Sequence, residues 1–243
     1  MAASGTQPAP TEIAPPPRPG LVAPLWHTGL LLFLLLVPLS WWLPIKKMFV
    51  DVEHANTGLL YLMQLESQWV LFFITVLGLM ARRTSFQDLV GERWRNESDF
   101  FRDTGFGLVL VILNVLITLL IVFAVHPTRQ EPTDPLSPHT MSQLAGFIPI
   151  ALTAGFSEEV MFRGYLQRQL YALTKSYGMA IVVQAVVFSL SHGYTLSLDN
   201  LTAKFIAGLL YGTFALYRKS LLPGMLGHAA IDCLVGFMSV AIS

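Results

Sequence analysis

Seven stretches of this chain are apolar enough to enter a bilayer, and nothing else in it restricts the fold as strongly. A helix needs about 20 mostly apolar residues to cross the hydrocarbon core. Only helices and closed barrels satisfy their backbone groups there. The stretches 25–44 (LWHTGLLLFLLLVPLSWWLP), 58–81 and 104–125 meet that length. Next comes 141–174, apolar in its first half and amphipathic in its second, then 178–192, 201–217 and 222–242. The fourth is unusually long and the fifth unusually short. Trp26, Trp41 and Trp42 flank the first as an interfacial aromatic belt does. The expected fold class is all-α, a polytopic transmembrane helix bundle of about seven spans.

Composition agrees. Of 243 residues 53% are apolar and 12% charged, with a mean hydropathy of +0.58. A soluble domain carries about twice that charged share. The formal net charge is zero, which gives no reason to expect a nucleic-acid partner. The one cysteine, Cys233, lies in an apolar segment and reads as a packing residue. The first 20 residues are rich in proline and small side chains and lack the basic-then-apolar order of a signal peptide. Residues 1–21 therefore read as a disordered tail, with PPPRP a solvated extension rather than a polyproline ligand. Residues 22–135 would hold the N-terminal helices and an amphipathic loop, and 136–243 a C-terminal core.

Of the 15 Lys and Arg, eleven fall on the side of the N-terminus, among them Arg18, the arginines of 82–102, Arg218 and Lys219. Four, Lys46, Lys47, Arg129 and Lys204, fall on the other. The positive-inside rule then places the N-terminus in the cytoplasm. The loop 82–103 reads as an amphipathic cytoplasmic segment, and 126–140, with four prolines, as irregular. Gly208 and Gly212 form a small-xxx-small face for packing within the bundle.

Against this apolar background three polar clusters stand out: Glu158, Glu159 and Arg163 in SEEVMFR; Phe188 and His192 in FSLSH; His228 and Asp232 in HAAID. Ionisable groups at membrane depth cost about 2.5–3.5 kcal/mol each, so they are functional candidates by default. Glu159 and Arg163 are i,i+4 with the acid N-terminal, the favourable order for a helix ion pair. Glu158 points about 100° away, towards apolar neighbours. A carboxylate without a counter-ion in such surroundings suits a general base. Glu159 with Arg163 then reads as a brace beside it.

The turn between the fourth and fifth spans falls near Lys175–Gly178. At a rise of about 1.5 Å per residue, Glu158 and His192 lie about 26 and 21 Å from it, so an antiparallel pair brings them to similar depth. Phe188 would pack beneath the His192 imidazole, and Gln184 would hydrogen-bond deeper in the bundle. His228 and Asp232, also i,i+4, project from one side of the last helix, whose first turn suits Pro223. The site thus lies among the four C-terminal helices. Its inventory fits hydrolysis, with Glu158 and His192 holding and deprotonating a water while His228 stabilises the oxyanion. It also fits zinc held by Glu158, His192 and His228 with an open water position, although the HExxH pattern is absent. His27, His54, His126 and His139 lie in loops or at span ends and receive no role. Asn114 reads as an interhelical hydrogen bond.

In this order, EEVMFR, FSLSH and HAAID resemble the motifs EExxxR, FxxxH and HxxxN/D of the CPBP family (also called Abi, or CAAX-protease-like intramembrane endopeptidases). The resemblance covers about residues 140–240. It implies that Glu158 activates water with His192, and that His228 and Asp232 form the oxyanion-stabilising pair. The CAAX-processing branch usually carries Asn at the last place. Asp232 must therefore be protonated, orient His228 or bind a metal. The family is often described as metalloproteases, yet the glutamate mechanism needs no ion. Implied partners are the bilayer and a membrane-anchored substrate. Eukaryotic relatives remove three residues from prenylated CAAX proteins, and bacterial ones act in bacteriocin maturation, immunity or the cleavage of sorting helices. The short chain with its proline-rich tail suggests a bacterial cytoplasmic membrane. The alternatives are a non-catalytic immunity or binding protein of the same fold and a proton-coupled transporter; the lack of an inverted repeat counts against the transporter.

Overall fold

The computed structural model describes residues 20–36, 56–125, 136–192 and 198–243. The greater part of the N-terminal tail, Trp41 and Trp42, Lys46 and Lys47, His54, His126 and Arg129 lie outside the described residues. Among the described residues there are helices and no strands. They run α1 (Leu25–Leu36), α2 (Thr57–Ala81), α3 (Phe86–Val90), α4 (Glu97–Val125), α5 (Met141–Glu158), a π-helical segment (Glu159–Leu166), α6 (Gln167–Thr174), α7 (Tyr177–Ser191), α8 (Leu198–Arg218) and α9 (Leu222–Ala241). The molecule is a helical membrane bundle. Four helices are long and apolar enough to cross a bilayer: Thr57–Ala81, Glu97–Ala124, Met141–Thr174 and Leu222–Ala241. α1 and α7 are shorter apolar helices, and α8 has the length but not the hydropathy of that group.

The central member is the rod 141–174. Half of its most apolar window, 50%, is buried inside the protein, against 11% for α4. Thr140 caps the rod by accepting from Gln143 N, and Lys175 ends it in the left-handed conformation at φ 56. Ser176 then caps α7, so the tight turn falls where the sequence places it. Around the π segment gathers the core, with Leu31, Phe72, Leu89, Leu110, Phe162, Tyr165, Phe188 and Tyr211. Outward-facing Leu116, Leu120 and Phe123 on α4 and Phe237 on α9 are exposed, as lipid-facing side chains should be.

Two N-terminal features differ from the expectation. α4 begins at Glu97, seven residues before the predicted span. Asn96 Oδ1 accepts from Asp99 N at 3.0 Å, and the acidic first turn suits a helix N-terminus. The rest of the 82–103 loop grips the α8–α9 turn. Gly91, at φ 85, pairs with Ser220, while Asp103, 1% exposed, holds Arg218 at 2.7 Å. His27 is likewise a buried anchor. Its ring meets the Tyr165 hydroxyl and the Ile74 carbonyl at 2.8 Å each. Beside it the Gln169 amide accepts from Val22 N and Ala23 N and donates to Ala23 O and Thr28 Oγ1.

Small residues set the helix spacings. A Cβ on Gly208 would stand 2.8 Å from Ala185 Cα. One on Gly212 would stand 2.7 Å from Gln167 Oε1 and Gln184 Nε2. The small-xxx-small face therefore packs inside the bundle. Gln184 Nε2 donates to Gly208 O at 2.7 Å and Gln167 Nε2 to Gly212 O at 3.0 Å, which satisfies both amide donors where α8 approaches.

Candidate active site

The two glutamates sit where the rod changes from α to π winding. π turns are rare and often mark functional sites. All eight residues of this one are buried. The α-helical 100° step used for the sequence is therefore replaced at Glu159 by a wider winding. Glu159 still reaches one turn on, its Oε1 lying 3.0 Å from Arg163 Nη1, and both side chains have 0% exposure. Arg163 is further held by aromatic faces, its Cζ 4.4 Å from the Phe188 centroid and 5.3 Å from that of Tyr211. Desolvated cation–π contacts of this kind contribute up to about 2 kcal/mol.

The last helix closes on this pair. A Cβ on Gly155 would stand 2.6 Å from Ala229 N, so α5 and α9 touch backbone to backbone. Gly224, one turn before His228, leaves room for Glu159; a Cβ there would lie 2.7 Å from Oε2. His228 thereby brings Nδ1 to 3.2 Å from Glu159 Oε1. Its Nε2 faces Glu158 Oε2 at 3.8 Å and Asp232 Oδ2 at 3.6 Å.

From α7, His192 Nε2 approaches the same Glu158 Oε2 at 3.6 Å. Its Nδ1 lies 2.8 Å from Phe188 O. A carbonyl only accepts, so Nδ1 carries the proton and a neutral ring offers its Nε2 lone pair to the site. Phe188 thus orients His192 through its backbone as well as its ring, the ring centroids being 4.5 Å apart. The 3.6 and 3.8 Å separations exceed direct hydrogen bonds, and distances of this kind are commonly bridged by water.

All seven sequence-selected residues therefore meet at one place. Tyr211 was not selected. Its ring lies 5.5 Å from His228 and beside Arg163, and its position three residues after Gly208 was the available signal. Asn114 of α4 lies near the Tyr211 hydroxyl, but that hydroxyl has no hydrogen-bond partner among the described residues, so the expected interhelical hydrogen bond is not made there. His139 is exposed and bonds Ser243, and Cys233 is half-buried. Two imidazole nitrogens and a carboxylate oxygen are donors zinc accepts. Among the described residues, however, no three His, Cys, Asp or Glu side chains are placed to hold a metal ion.

Fold and site together define an integral membrane protein with a buried acid–histidine centre in its C-terminal half. Residues 140–234 match the Rce1-like family, described as type II CAAX prenyl endopeptidase Rce1-like. This segment is an Rce1-like domain of the CPBP, or CAAX protease, type. No curated protein and no solved structure matches the chain.

Proposed function

We propose that this chain is an intramembrane endopeptidase that hydrolyses a peptide bond of a membrane-anchored substrate. The substrate class is a prenylated CAAX-type, otherwise lipidated or C-terminal helical segment presented near the cytoplasmic face, with the N-terminus of the enzyme in the cytoplasm and residues 136–243 as the catalytic core. One observation carries the reading: Glu158 Oε2 faces Nε2 of both His192 and His228, at 3.6 and 3.8 Å.

A water held between Glu158 Oε2 and His192 Nε2 gives one proton to Glu158 as its oxygen adds to the scissile carbonyl carbon. The oxyanion is met by His228 Nε2–H. Because Nδ1 already donates to Glu159, the ring must carry both protons to donate from Nε2. Glu158, Glu159 and Asp232 surround it with the negative charge that form needs. Asp232 is thus accommodated as a partner of His228 and need not face the oxyanion itself. When the C–N bond breaks, the proton on Glu158 passes to the leaving amine. Glu159 and Arg163 contact no reacting atom; they position His228.

Replacing Glu158 with Gln keeps size and polarity and removes the base. Membrane-protein C-termini compared between cells carrying the wild type and E158Q would test activity and name substrates together. Unchanged processing by E158Q would overturn the mechanism.

A further inference from the structure

We propose that Lys204 is an anion-binding element of the substrate site, whose ammonium receives a carboxylate carried by the peptide next to the scissile bond. The inference rests on the protease reading above and names a specificity determinant within it.

Position is the first observation. On α8, Lys204, Gly208 and Tyr211 are spaced i, i+4 and i+7 and so share one stripe. Tyr211 shows where that stripe points, since its ring contacts His228 and the Arg163 guanidinium. Lys204 stands about 10 Å farther along the same stripe. The register with α7 fixes its level. Ser189 Oγ donates to Leu201 O at 2.6 Å, and Gly208 presses on Ala185, so Lys204 lies level with residues 185–189 of α7, next to Phe188.

Charge is the second. Lys204 stands near enough to Glu158 and His192 to act on both electrostatically. Among the described residues Lys204 makes no hydrogen bond and no ion pair, although it is half-buried. Arg163, the other site cation, is committed to Glu159. A lone ammonium in a helix bundle needs a reason, and the stripe leads it to the reacting groups. Between Lys204 and Tyr211 on the stripe, Gly208 packs directly on Ala185 of α7, which brings α8 close to the His192 helix.

An ammonium is a compact cation with three donors, suited to one carboxylate. That carboxylate can come from the peptide C-terminus or from an acidic side chain. The test uses three S-farnesylated fluorescent peptides of one sequence: a free acid, its carboxamide, and a carboxamide with Glu as last residue. Wild type is expected to prefer the free acid or the Glu peptide over the plain amide by about tenfold or more in kcat/KM. The preferred peptide identifies the source. In K204Q that preference is expected to vanish mainly through KM, with K204R restoring part of it, and binding of the acid to E158Q is expected to weaken when K204Q is added. Equal cleavage of all three by wild type overturns the inference and leaves the protease reading standing. An equal kcat loss on all three in K204Q also overturns it, making Lys204 a counter-ion of Glu158. No effect of K204Q on any peptide overturns it in favour of a lysine extended to the membrane surface. Failure of wild type to cleave any of the peptides removes the protease reading and the inference with it.

Discussion

Glu159 and His228 meet across 69 positions of sequence, Oε1 to Nδ1, at 3.2 Å. Arg163 Nη1 lies 3.0 Å from the same oxygen. One carboxylate oxygen therefore joins the first motif to the third and fixes the face that His228 turns to Glu158. The fold places its most expensive group, a fully buried ion pair, where it sets the direction of an imidazole.

Breaking such a pair from one side leaves an uncompensated charge and costs about 3–5 kcal/mol. E159Q and R163M should each lower the thermal unfolding midpoint in detergent and abolish activity. The double variant should recover part of the stability, though none of the activity, because His228 remains unanchored. A midpoint for E159Q equal to wild type would show that the pair does not brace the bundle.

Gly224 is where the same carboxylate is most exposed to steric interference. A Cβ there would fall 2.7 Å from Oε2 and 3.2 Å from Cδ of Glu159. The carboxylate is held at Oε1 by Arg163 and His228 and cannot swing aside cheaply, so G224A should cost about 1–3 kcal/mol as overpacking. Activity should fall more than stability does, because the displaced group positions His228. Unfolding and peptide cleavage measured on one preparation would separate the two effects.

The extent to which this site can be read from sequence follows from the range of each interaction. The Glu159–Arg163 pair spans four residues and needs only helical geometry. The approach of His192 to Glu158 is almost as local, since one short turn at Lys175–Ser176 sets the depth. The His228–Glu159 contact needs the azimuth of α9 against α5, which the Gly155–Ala229 approach decides. The π winding escaped a reading based on regular periodicity because it is defined by packing around eight buried residues. His27 looked like a span-end residue, and only the approach of Tyr165 and Ile74 reveals its two partners. Asp103 falls in the segment read only as amphipathic, and its role escaped for the same reason, its partner being 115 residues away.

That distant partner gives a prediction outside the site. Asp103, its side chain 2% exposed, lies 2.7 Å from Arg218 and accepts from Trp94 Nε1 at 3.1 Å. Hydrogen bonds to charged groups contribute about 1.5–3 kcal/mol. D103N should destabilise by an amount in that range and loosen the α8–α9 turn, as hydrogen exchange at Lys219–Leu222 would record. kcat should change far less than in E159Q, since no reacting group moves.

Chelation addresses a separate alternative. If the chain's own groups carry the reaction, enzyme dialysed exhaustively against a strong chelator should keep its activity. A loss restored by zinc would make Glu158, His192 and His228 ligands and replace the glutamate mechanism.

The substitutions at the last motif separate the remaining possibilities for Asp232. Its Oδ2 lies 3.6 Å from His228 Nε2, and its side chain is 24% exposed, so it meets the imidazole from the more open side of the site. If it acts only through His228, D232N should retain activity within about tenfold, since an amide can still orient the ring. H228A, which removes the proposed oxyanion donor, should lose about 10²–10³ in kcat. E158Q, which removes the proposed base, should lose about 10²–10⁴. The order of loss, with D232N smallest, is the measurement that matters, taken at a single saturating peptide concentration in detergent. A D232N variant as inactive as E158Q would make Asp232 a proton-transferring group in its own right, and the shared proton would then belong to the Glu158–His228–Asp232 set rather than to Glu158 alone.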